Sequence, residues 1–213
     1  VESGIPEDAV QLVAQTDREL VGLLLKRDED LDLVIPRGGE SLIKAVVEQS
    51  RIPVIKHYKG LCHVYVDASA DTKKAMDIVV NAKTHRTGVC NAAETLLLDE
   101  GLSIELRKDL VTALQAKGVR IAGDDKVQAI VDHVDAATDE DWATEYLSSE
   151  ISVKTVDGIA EAMDHIDEYG SGHTEAIVAE DQSILDAFVQ GVDASSVMTN
   201  ASTRFADGGM YGL

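Results

Sequence analysis

The sequence has few basic residues, few aromatic residues, three prolines and two cysteines. Its 39 Asp and Glu against 19 Lys and Arg give a net charge of -20. Most of the surface therefore repels phosphate backbones and anionic lipids, which argues against nucleic-acid and membrane partners. Two cysteines, Cys62 and Cys90, are too few for a secreted fold held by disulfides. No apolar run approaches the roughly 18 residues that a membrane helix requires, and no signal peptide is recognisable. We therefore expect a globular protein of the cytoplasm.

The length and the hydrophobic content favour an ordinary folded chain. With 213 residues, of which 45% are hydrophobic, the sequence can form one large or two small domains with a sizeable core. The chain begins with Val1 and ends at Leu213 in a Gly-rich run. We therefore expect it to be a piece of a longer chain.

The basic residues are concentrated in one part of the sequence. Residues 37–86 contain nine basic and five acidic residues, a local charge of +4 in a chain of -20. A cationic patch on an acidic body can attract a small anionic ligand. Adaptation to high salt is an alternative source of the acidity, although it does not account for the clustering of the bases.

Hydrophobic patterning predicts an α/β protein. Short apolar runs alternate with segments of helical period, as in βαβ units with a parallel sheet. We expect a domain boundary near Lys59 and Gly60. The predicted strands are 9–13, 31–35, 54–57, 63–66, 94–98, 119–122, 151–156, 175–178 and 196–200. The predicted helices are 17–26, 40–49, 70–82, 103–116, 125–131, 159–169 and 183–189, with an acidic loop through Asp141.

Residues 34–41 (VIPRGGES) form a candidate phosphate-binding turn. Arg37, Gly38 and Gly39 lie between a predicted strand and the start of a predicted helix. Glycines allow a phosphate to approach the backbone, and the helix start offers unpaired N–H groups. An ordinary Gly-Gly turn is the alternative interpretation.

Residues 83–91 (KTHRTGVCN) are a basic connection between a predicted helix and a predicted strand, and they contain Cys90. A free thiol has a pKa of about 8.5, and nearby positive charge increases its thiolate fraction. Lys83, His85 and Arg86 can supply that charge. Cys90 is therefore either a nucleophile or an unreactive loop thiol.

Cys62 lies in an apolar strand context, where cysteine acts as a small hydrophobic residue. A zinc site formed by Cys62, His63, His85 and Cys90 is the competing hypothesis. It lacks the paired ligand spacing of zinc sites, so we predict no metal.

Four longer runs resemble the gamma-glutamyl phosphate reductase family of the aldehyde dehydrogenase superfamily. They are IPRGGESLIKAVVEQSRIPVIKHYKGLCHVYVD, NAKTHRTGVCNAAETLLL, EYGSGHTEAIV and VMTNASTRFADGG. The resemblance covers nearly the whole chain and about half of the family polypeptide. It implies an aldehyde-dehydrogenase-like fold, in which residues 1–59 are the C-terminal part of a Rossmann-type cofactor-binding domain. Residues 60–213 would form the catalytic domain.

The resemblance implies that Cys90, in the GVCN motif, is the catalytic nucleophile. It would attack L-glutamyl 5-phosphate, release phosphate and form a thioester, which NADPH would reduce to glutamate 5-semialdehyde in proline biosynthesis. The Cys90 N–H would be an oxyanion donor. Hydrolytic members of the superfamily carry a glutamate that activates water, but the corresponding run VIKHYKG contains no carboxylate.

The resemblance also implies ligand-binding residues and partners. The cofactor would contact Arg37, Gly38, Gly39, Ser41 and Glu145, the last at the nicotinamide ribose. The substrate would contact Asn91, Asn200, Ser202, Thr203 and Arg204, and the Arg204 guanidinium suits a carboxylate or a phosphate. A homo-oligomer is expected, and glutamate 5-kinase is a candidate partner.

Three alternatives to a complete reductase remain open at this stage. The chain could be a non-catalytic fragment that binds ligand or partner. It could be the reductase half of a bifunctional pyrroline-5-carboxylate synthase. It could also be a thiol hydrolase or acyltransferase that uses Cys90 with His85.

Overall fold

The computed structural model describes residues 4–56 and 59–211. The chain divides into two units, Val1–Tyr58 and Lys59–Leu213. The first contains a 3-10 turn (Glu7–Ala9) and the helices α1 (Glu19–Leu24) and α2 (Glu40–Gln49). The predicted bounds of α2 are confirmed, whereas α1 is shorter than the helix predicted for residues 17–26.

The strands predicted in the first unit are wrong or reduced to a single bridge. Residues 9–13 form no strand, and Val10 and Leu12 are exposed. Residues 31–35 and 54–57 contribute one parallel bridge, between Val34 and Val54, and His57 lies outside the described residues. A strand requires a hydrogen-bonded neighbour along its length, and the described residues of this unit supply only this bridge. The described residues of this unit therefore do not form a sheet by themselves.

The second unit is built on a seven-stranded sheet in which every pair of neighbours is parallel. The spatial order is β4-β3-β5-β2-β1-β6-β7. The strands are β1 (Cys62–Val66), β2 (Ala93–Asp99), β3 (Arg120–Gly123), β4 (Asp135–Ala136), β5 (Glu150–Val156), β6 (Thr174–Val178) and β7 (Ser196–Thr199).

Helices cover both faces of this sheet. On one face Val79 of α3 (Thr72–Thr84) and Leu110 of α4 (Ile104–Ala116) pack with Leu96, and on the other Phe188 of α8 (Gln182–Gly191) packs with Leu97. Successive residues of β2 thus face opposite layers, which explains its unbroken apolar run. The helices are α3 (Thr72–Thr84), α4 (Ile104–Ala116), α5 (Asp125–Gln128), α6 (Asp139–Trp142), α7 (Gly158–Tyr169), α8 (Gln182–Gly191) and α9 (Gly208–Tyr211), with a 3-10 turn at Thr203–Phe205.

The prediction of an α/β fold with a parallel sheet is confirmed. The acidic loop through Asp141 is partly wrong, because it contains β4 and α6. Thr138 and Asp141 form a reciprocal capping box at the start of α6, and this local bonding stabilises a short helix that lacks apolar periodicity. Within the described ranges, no helix is both long and apolar enough to cross a membrane.

Candidate active site

Cys90 lies on the loop between α3 and β2, beside the amino edge of the sheet. Because all strands are parallel, the segments that precede them meet at this edge. They include Gly60 before β1, residues 145–147 before β5 and His173 before β6. Cys90 is half-buried, whereas Cys62 is completely buried. The edge therefore brings together residues that are far apart in the sequence.

Gly60 lies directly against the main chain of Cys90. A Cβ atom at position 60 would lie 2.1 Å from the Cys90 carbonyl oxygen and 2.6 Å from its Cα, so only glycine fits. The Gly60 N–H donates to the Glu145 carboxylate at 2.9 Å. The structure thereby places Glu145, one of the predicted cofactor residues, close to the Cys90 loop.

Cys62 is confirmed as a packing residue, and it makes a contact that the sequence did not predict. Its thiol donates to the Cys90 carbonyl oxygen at 3.2 Å, and its Sγ lies 3.7 Å from Nδ1 of His173. Burial raises the pKa of the Cys62 thiol well above its usual value. Cys62 is therefore a neutral thiol in contact with the loop of the candidate nucleophile.

Lys83 does not present its charge to the Cys90 loop as predicted. Its ammonium lies 2.6 Å from the Glu94 carboxylate, and both side chains are completely buried. Burial raises the pKa of Glu94 to about 7. The other oxygen of Glu94 accepts the Leu147 N–H at 3.3 Å, and Leu147 has the left-handed φ of 52° that is rare for leucine. A buried ion pair thus holds a strained segment beside the Cys90 loop.

Arg204 and His85 are neighbours, and Arg204 is half-buried while His85 is exposed. The Arg204 Nε–H donates to Nδ1 of His85 at 3.4 Å. The hydrogen bonds of the described residues include none between His85 and Cys90. The structure therefore does not show the Cys-His pair that a thiol hydrolase needs.

Asn91, Ser202 and Thr203 are buried beside the same loop. The Asn91 amide donates to the Ala206 carbonyl at 2.9 Å, and this bond ties the Cys90 loop to residues 202–206. Asn91 Oδ1 and Thr203 Oγ1 are buried and have no hydrogen-bond partner within the described parts of the chain. The fold brings these three predicted substrate residues near Cys90, but their side chains are buried below the protein surface.

Asn200 is not brought together with Cys90. It follows β7 and so lies near the carboxyl edge of the sheet. Its amide accepts the Ala179 N–H at 3.1 Å and donates to the Ala179 carbonyl at 2.8 Å. These two bonds join the chain after β7 to the chain after β6, so the geometry gives Asn200 a structural task.

The remaining predicted cofactor residues lie in the first unit, at the start of α2. Gly38 has φ 153°, and a Cβ there would lie 2.6 Å from Leu42 Cδ2. Gly39 is the N-cap of α2, Ser41 is in its first turn, and Arg37 is exposed. A cavity of about 680 Å³ is lined by Gly39 and Ser41 together with Arg18, Val21, Gly22, Leu25, Leu42, Ala45, Val46 and Gln49.

Sequence reasoning missed Gly60, Glu94 and Leu147 as parts of the site. The sequence marks Gly60 only as a boundary residue, although a glycine beside a predicted strand can signal a close approach of two backbones. Glu94 carried a further signal, because a carboxylate in an apolar run requires a buried partner. In residues 4–56 and 59–211, no group of three or more His, Cys, Asp or Glu side chains could hold a metal ion.

Comparison with known proteins gives a consistent assignment. The chain is 50% identical to the gamma-glutamyl phosphate reductase of Rhodopirellula baltica over 99% of its length and 48% of that protein. It is 49% identical to the enzyme of Paramagnetospirillum magneticum, over 99% of this chain and 50% of the other. The crystal structure of the Thermotoga maritima gamma-glutamyl phosphate reductase is 45% identical, with a TM-score of 0.93 over 99% of this chain and 51% of that one.

The chain thus spans about half the length of these relatives. The resemblance to gamma-glutamyl phosphate reductases inferred from the sequence motifs is confirmed. The profile of the Aldehyde dehydrogenase family matches residues 1–145, which is more than half of the chain. The chain therefore belongs to the aldehyde dehydrogenase family.

Proposed function

We propose that this chain is the catalytic part of a reductase that converts L-glutamyl 5-phosphate to L-glutamate 5-semialdehyde and phosphate in proline biosynthesis. The similarity to gamma-glutamyl phosphate reductases supports this substrate. One observation carries the chemistry: the half-buried Cys90 thiol lies on an amino-edge loop whose main chain is packed against Gly60.

Cys90 would act as the nucleophile. Its thiolate attacks the acyl carbon of the substrate, the C–O bond to phosphate breaks, and a thioester remains on the sulfur. Negative charge builds up on the carbonyl oxygen during the attack. The Cys90 N–H has no acceptor within the described residues, so it is free to donate to that oxygen.

The site also disfavours hydrolysis of the thioester. Gly60 approaches Cys90 so closely that this position can carry no side chain. The run from Val54 to Gly60, where the resemblance places the water-activating glutamate of hydrolytic members, contains no carboxylate in its sequence. A thioester that water attacks slowly survives long enough to be reduced.

The residues at the start of α2 fit a dinucleotide. The first N–H groups of a helix lack partners within the helix and attract phosphate, and open space surrounds the Cα of Gly39. Gly39 and Ser41 also line the 680 Å³ cavity, which suits the remainder of a nucleotide. When bound, NADPH would supply the hydride that reduces the thioester. Arg37 and Glu145 remain predicted cofactor contacts.

Arg204 is the residue best placed to bind an anionic group of the substrate. Its guanidinium is half-buried at the surface beside the Cys90 loop, whereas Asn91, Ser202 and Thr203 are buried. We assign these three to positioning Arg204 and Cys90, and Asn200 to holding the chain after β7. Association with glutamate 5-kinase, a homo-oligomer and a cytoplasmic setting remain predictions.

The test is phosphate-dependent reduction of NADP⁺ by glutamate 5-semialdehyde, measured on the chain and on two matched variants. Cys90→Ser should reduce turnover by at least about a thousandfold, because the nucleophile is lost. Cys62→Ser should retain turnover within a few-fold. Equal loss in both variants would contradict the assignment of Cys90. No turnover by the unaltered chain, in the presence of bound cofactor, would favour the non-catalytic alternative.

A further inference from the structure

The contact between the two cysteines is not explained by the proposed reduction. The Cys62 thiol donates to the carbonyl oxygen of Cys90 itself, at 3.2 Å. Cys62 is completely buried, while Cys90 is reachable from solvent. The solvent-accessible Cys90 thiol therefore has a second thiol, that of Cys62, beside its main chain, and burial shields Cys62 from direct attack by small oxidants.

Covalent geometry limits how far apart the two side chains can be. A carbonyl oxygen lies about 2.4 Å from the Cα of its own residue, so the Cys62 sulfur is at most about 5.6 Å from the Cys90 Cα. A disulfide requires the two sulfurs to be about 2.05 Å apart and the Cα atoms about 4.4–6.8 Å apart, so this bound places the Cys62 sulfur within reach of the Cys90 side chain but does not itself satisfy the geometry. Residues 85–92 belong to neither helix nor strand, so rotation about the Cys90 Cα–Cβ bond with a small loop adjustment can bring the sulfurs together.

We propose that Cys62 is a resolving thiol that captures oxidised Cys90 in a Cys62–Cys90 disulfide. The proposal shares with the proposed function the premise that Cys90 is the reactive thiol, and it is independent of the substrate. The oxidant is a hydroperoxide such as hydrogen peroxide.

The reaction proceeds in two balanced steps. First, the Cys90 thiolate attacks one peroxide oxygen, the O–O bond breaks, hydroxide leaves, and Cys90 becomes a sulfenic acid. Second, the Cys62 sulfur attacks the sulfenic sulfur, the S–O bond breaks, and the Cys62 proton leaves with hydroxide as water. Together two thiols and one peroxide give one disulfide and two waters. His173 Nδ1, 3.7 Å from the Cys62 sulfur, can relay this proton to the departing hydroxide.

The consequence is protection of Cys90. A sulfenic acid that is not captured is oxidised further to the sulfinic acid, which ordinary thiols do not reverse, whereas a disulfide is reversed by dithiothreitol. The buried Cys62 stays reduced until Cys90 has reacted, because its thiol is neutral and shielded.

The experiment treats the 213-residue chain with equimolar hydrogen peroxide near neutral pH, then alkylates the remaining thiols and digests with trypsin. Cleavage after Lys59, Lys73, Arg86 and Arg107 places the two cysteines in separate peptides. Non-reducing mass spectrometry should show these two peptides joined, with the loss of two hydrogen atoms. Dithiothreitol should return both thiols to the alkylatable form.

Two variants provide the controls. Cys62→Ser keeps a hydroxyl donor for the Cys90 carbonyl, and Cys62→Ala remains as a second variant if the serine is not tolerated. In either variant at least two equivalents of peroxide, a dose applied also to the unaltered chain for comparison, should convert Cys90 to sulfinic acid, and dithiothreitol should no longer restore it.

The outcomes separate this proposal from the proposed function. Oxidised Cys90 with no joined peptide, or a disulfide between the Cys90 residues of two chains, would overturn the resolving role and leave the nucleophile intact. If Cys90 resists both peroxide and iodoacetamide in the folded chain, the shared premise fails. A joined peptide in a chain without reductase turnover would support the resolving role alone.

Discussion

At the scale of single residues, His165 on α7 shows how burial fixes a protonation state. Its ring lies among those of His63, Trp142 and Tyr169, at centroid distances of 5.5, 5.7 and 4.7 Å. Lys154 Nζ lies 3.5 Å from Nδ1, where it can donate only to a neutral imidazole. Burial, with His63 and Lys154 as secondary causes, lowers the pKa of His165 from 6.5 to about 3. The folded protein therefore holds this side chain neutral.

His165 should make the folded state sensitive to acid. Between pH 6.5 and about 3 the unfolded chain binds a proton at His165 that the folded chain does not, so the free energy of unfolding decreases as the pH is lowered. The stabilisation is fully present above pH 6.5. In His165→Phe this contribution to the slope, at most about 1.4 kcal/mol per pH unit, should disappear.

The measurement is urea unfolding at several pH values, followed by the fluorescence of Trp142, the single tryptophan of the chain. His165→Gln serves as a second neutral replacement. If both variants retain the pH dependence of the unaltered chain, His165 is not the group responsible.

At the scale of elements, the site depends on a junction between α3, β2 and the segment before β5. Lys83 is the last buried residue of α3, and Glu94 is the second residue of β2. Leu147 lies in the segment before β5. The pair contributes little net stability, because desolvation of two charges offsets their attraction. Its structural effect is to place an acceptor where the left-handed Leu147 needs one.

Replacing one member of the Lys83–Glu94 ion pair should lower the free energy of unfolding more than replacing both. Lys83→Met removes the ion-pair partner of the buried Glu94, and we expect a loss of about 3–5 kcal/mol in the free energy of unfolding at neutral pH. Adding Glu94→Leu should recover most of this loss. The measurement is urea unfolding of the single and double variants, compared as a double-mutant cycle.

Amide hydrogen exchange at Leu147 distinguishes the positioning role from packing alone. Lys83→Met with Glu94→Gln retains a carbonyl acceptor for the Leu147 N–H, whereas Lys83→Met with Glu94→Leu does not. At equal global stability, the Leu147 amide should exchange faster in the double variant with Glu94→Leu than in the double variant with Glu94→Gln. Equal exchange in the two double variants would show that Glu94 does not position this segment.

At the scale of the whole molecule, the charge and the two units determine what the chain can bind. Several basic residues of the segment 37–86 are neutralised by ion pairs: Lys73 with Asp77, Lys74 with Glu180 and Lys83 with Glu94. The start of α2 and its cavity lie in the first unit, whereas Cys90 and Arg204 lie in the second. The proposed nucleotide binding and the proposed thiol chemistry can therefore be tested separately.

Ser41 provides the corresponding prediction. Ser41→Asp adds a negative charge in the first turn of α2, where it stabilises the helix but repels a phosphate, so the Kd for NADP⁺ should increase at least about tenfold. Ser41→Asn has nearly the same shape and no charge, and its Kd should stay within about threefold. Isothermal titration of both variants measures this; equal affinities would remove the start of α2 from the cofactor site.

The sequence by itself determined the class of the fold, and it is the source of the prediction that Cys90 is the nucleophile. The alternation of apolar runs with segments of helical period is a local pattern, which can be recognised without knowing which elements pack together. It predicted α2 and most strands of the second unit to within one or two residues. The GVCN motif could point to Cys90 as a candidate nucleophile because motifs are local. Segments 9–13, 31–35 and 54–57 failed as strands because strand formation depends on a neighbour that the local pattern does not contain.

Only the tertiary structure decided which distant residues meet at the amino edge of the sheet. Parallel strands bring Gly60, Cys62 and Glu145 to Cys90, although up to 85 residues separate the partners in these contacts. The same packing buries Lys83 in an ion pair with Glu94 and places Asn200 at the opposite edge of the sheet from Cys90. The reason is physical: burial and hydrogen bonding depend on strand order and register, which no stretch of sequence specifies alone.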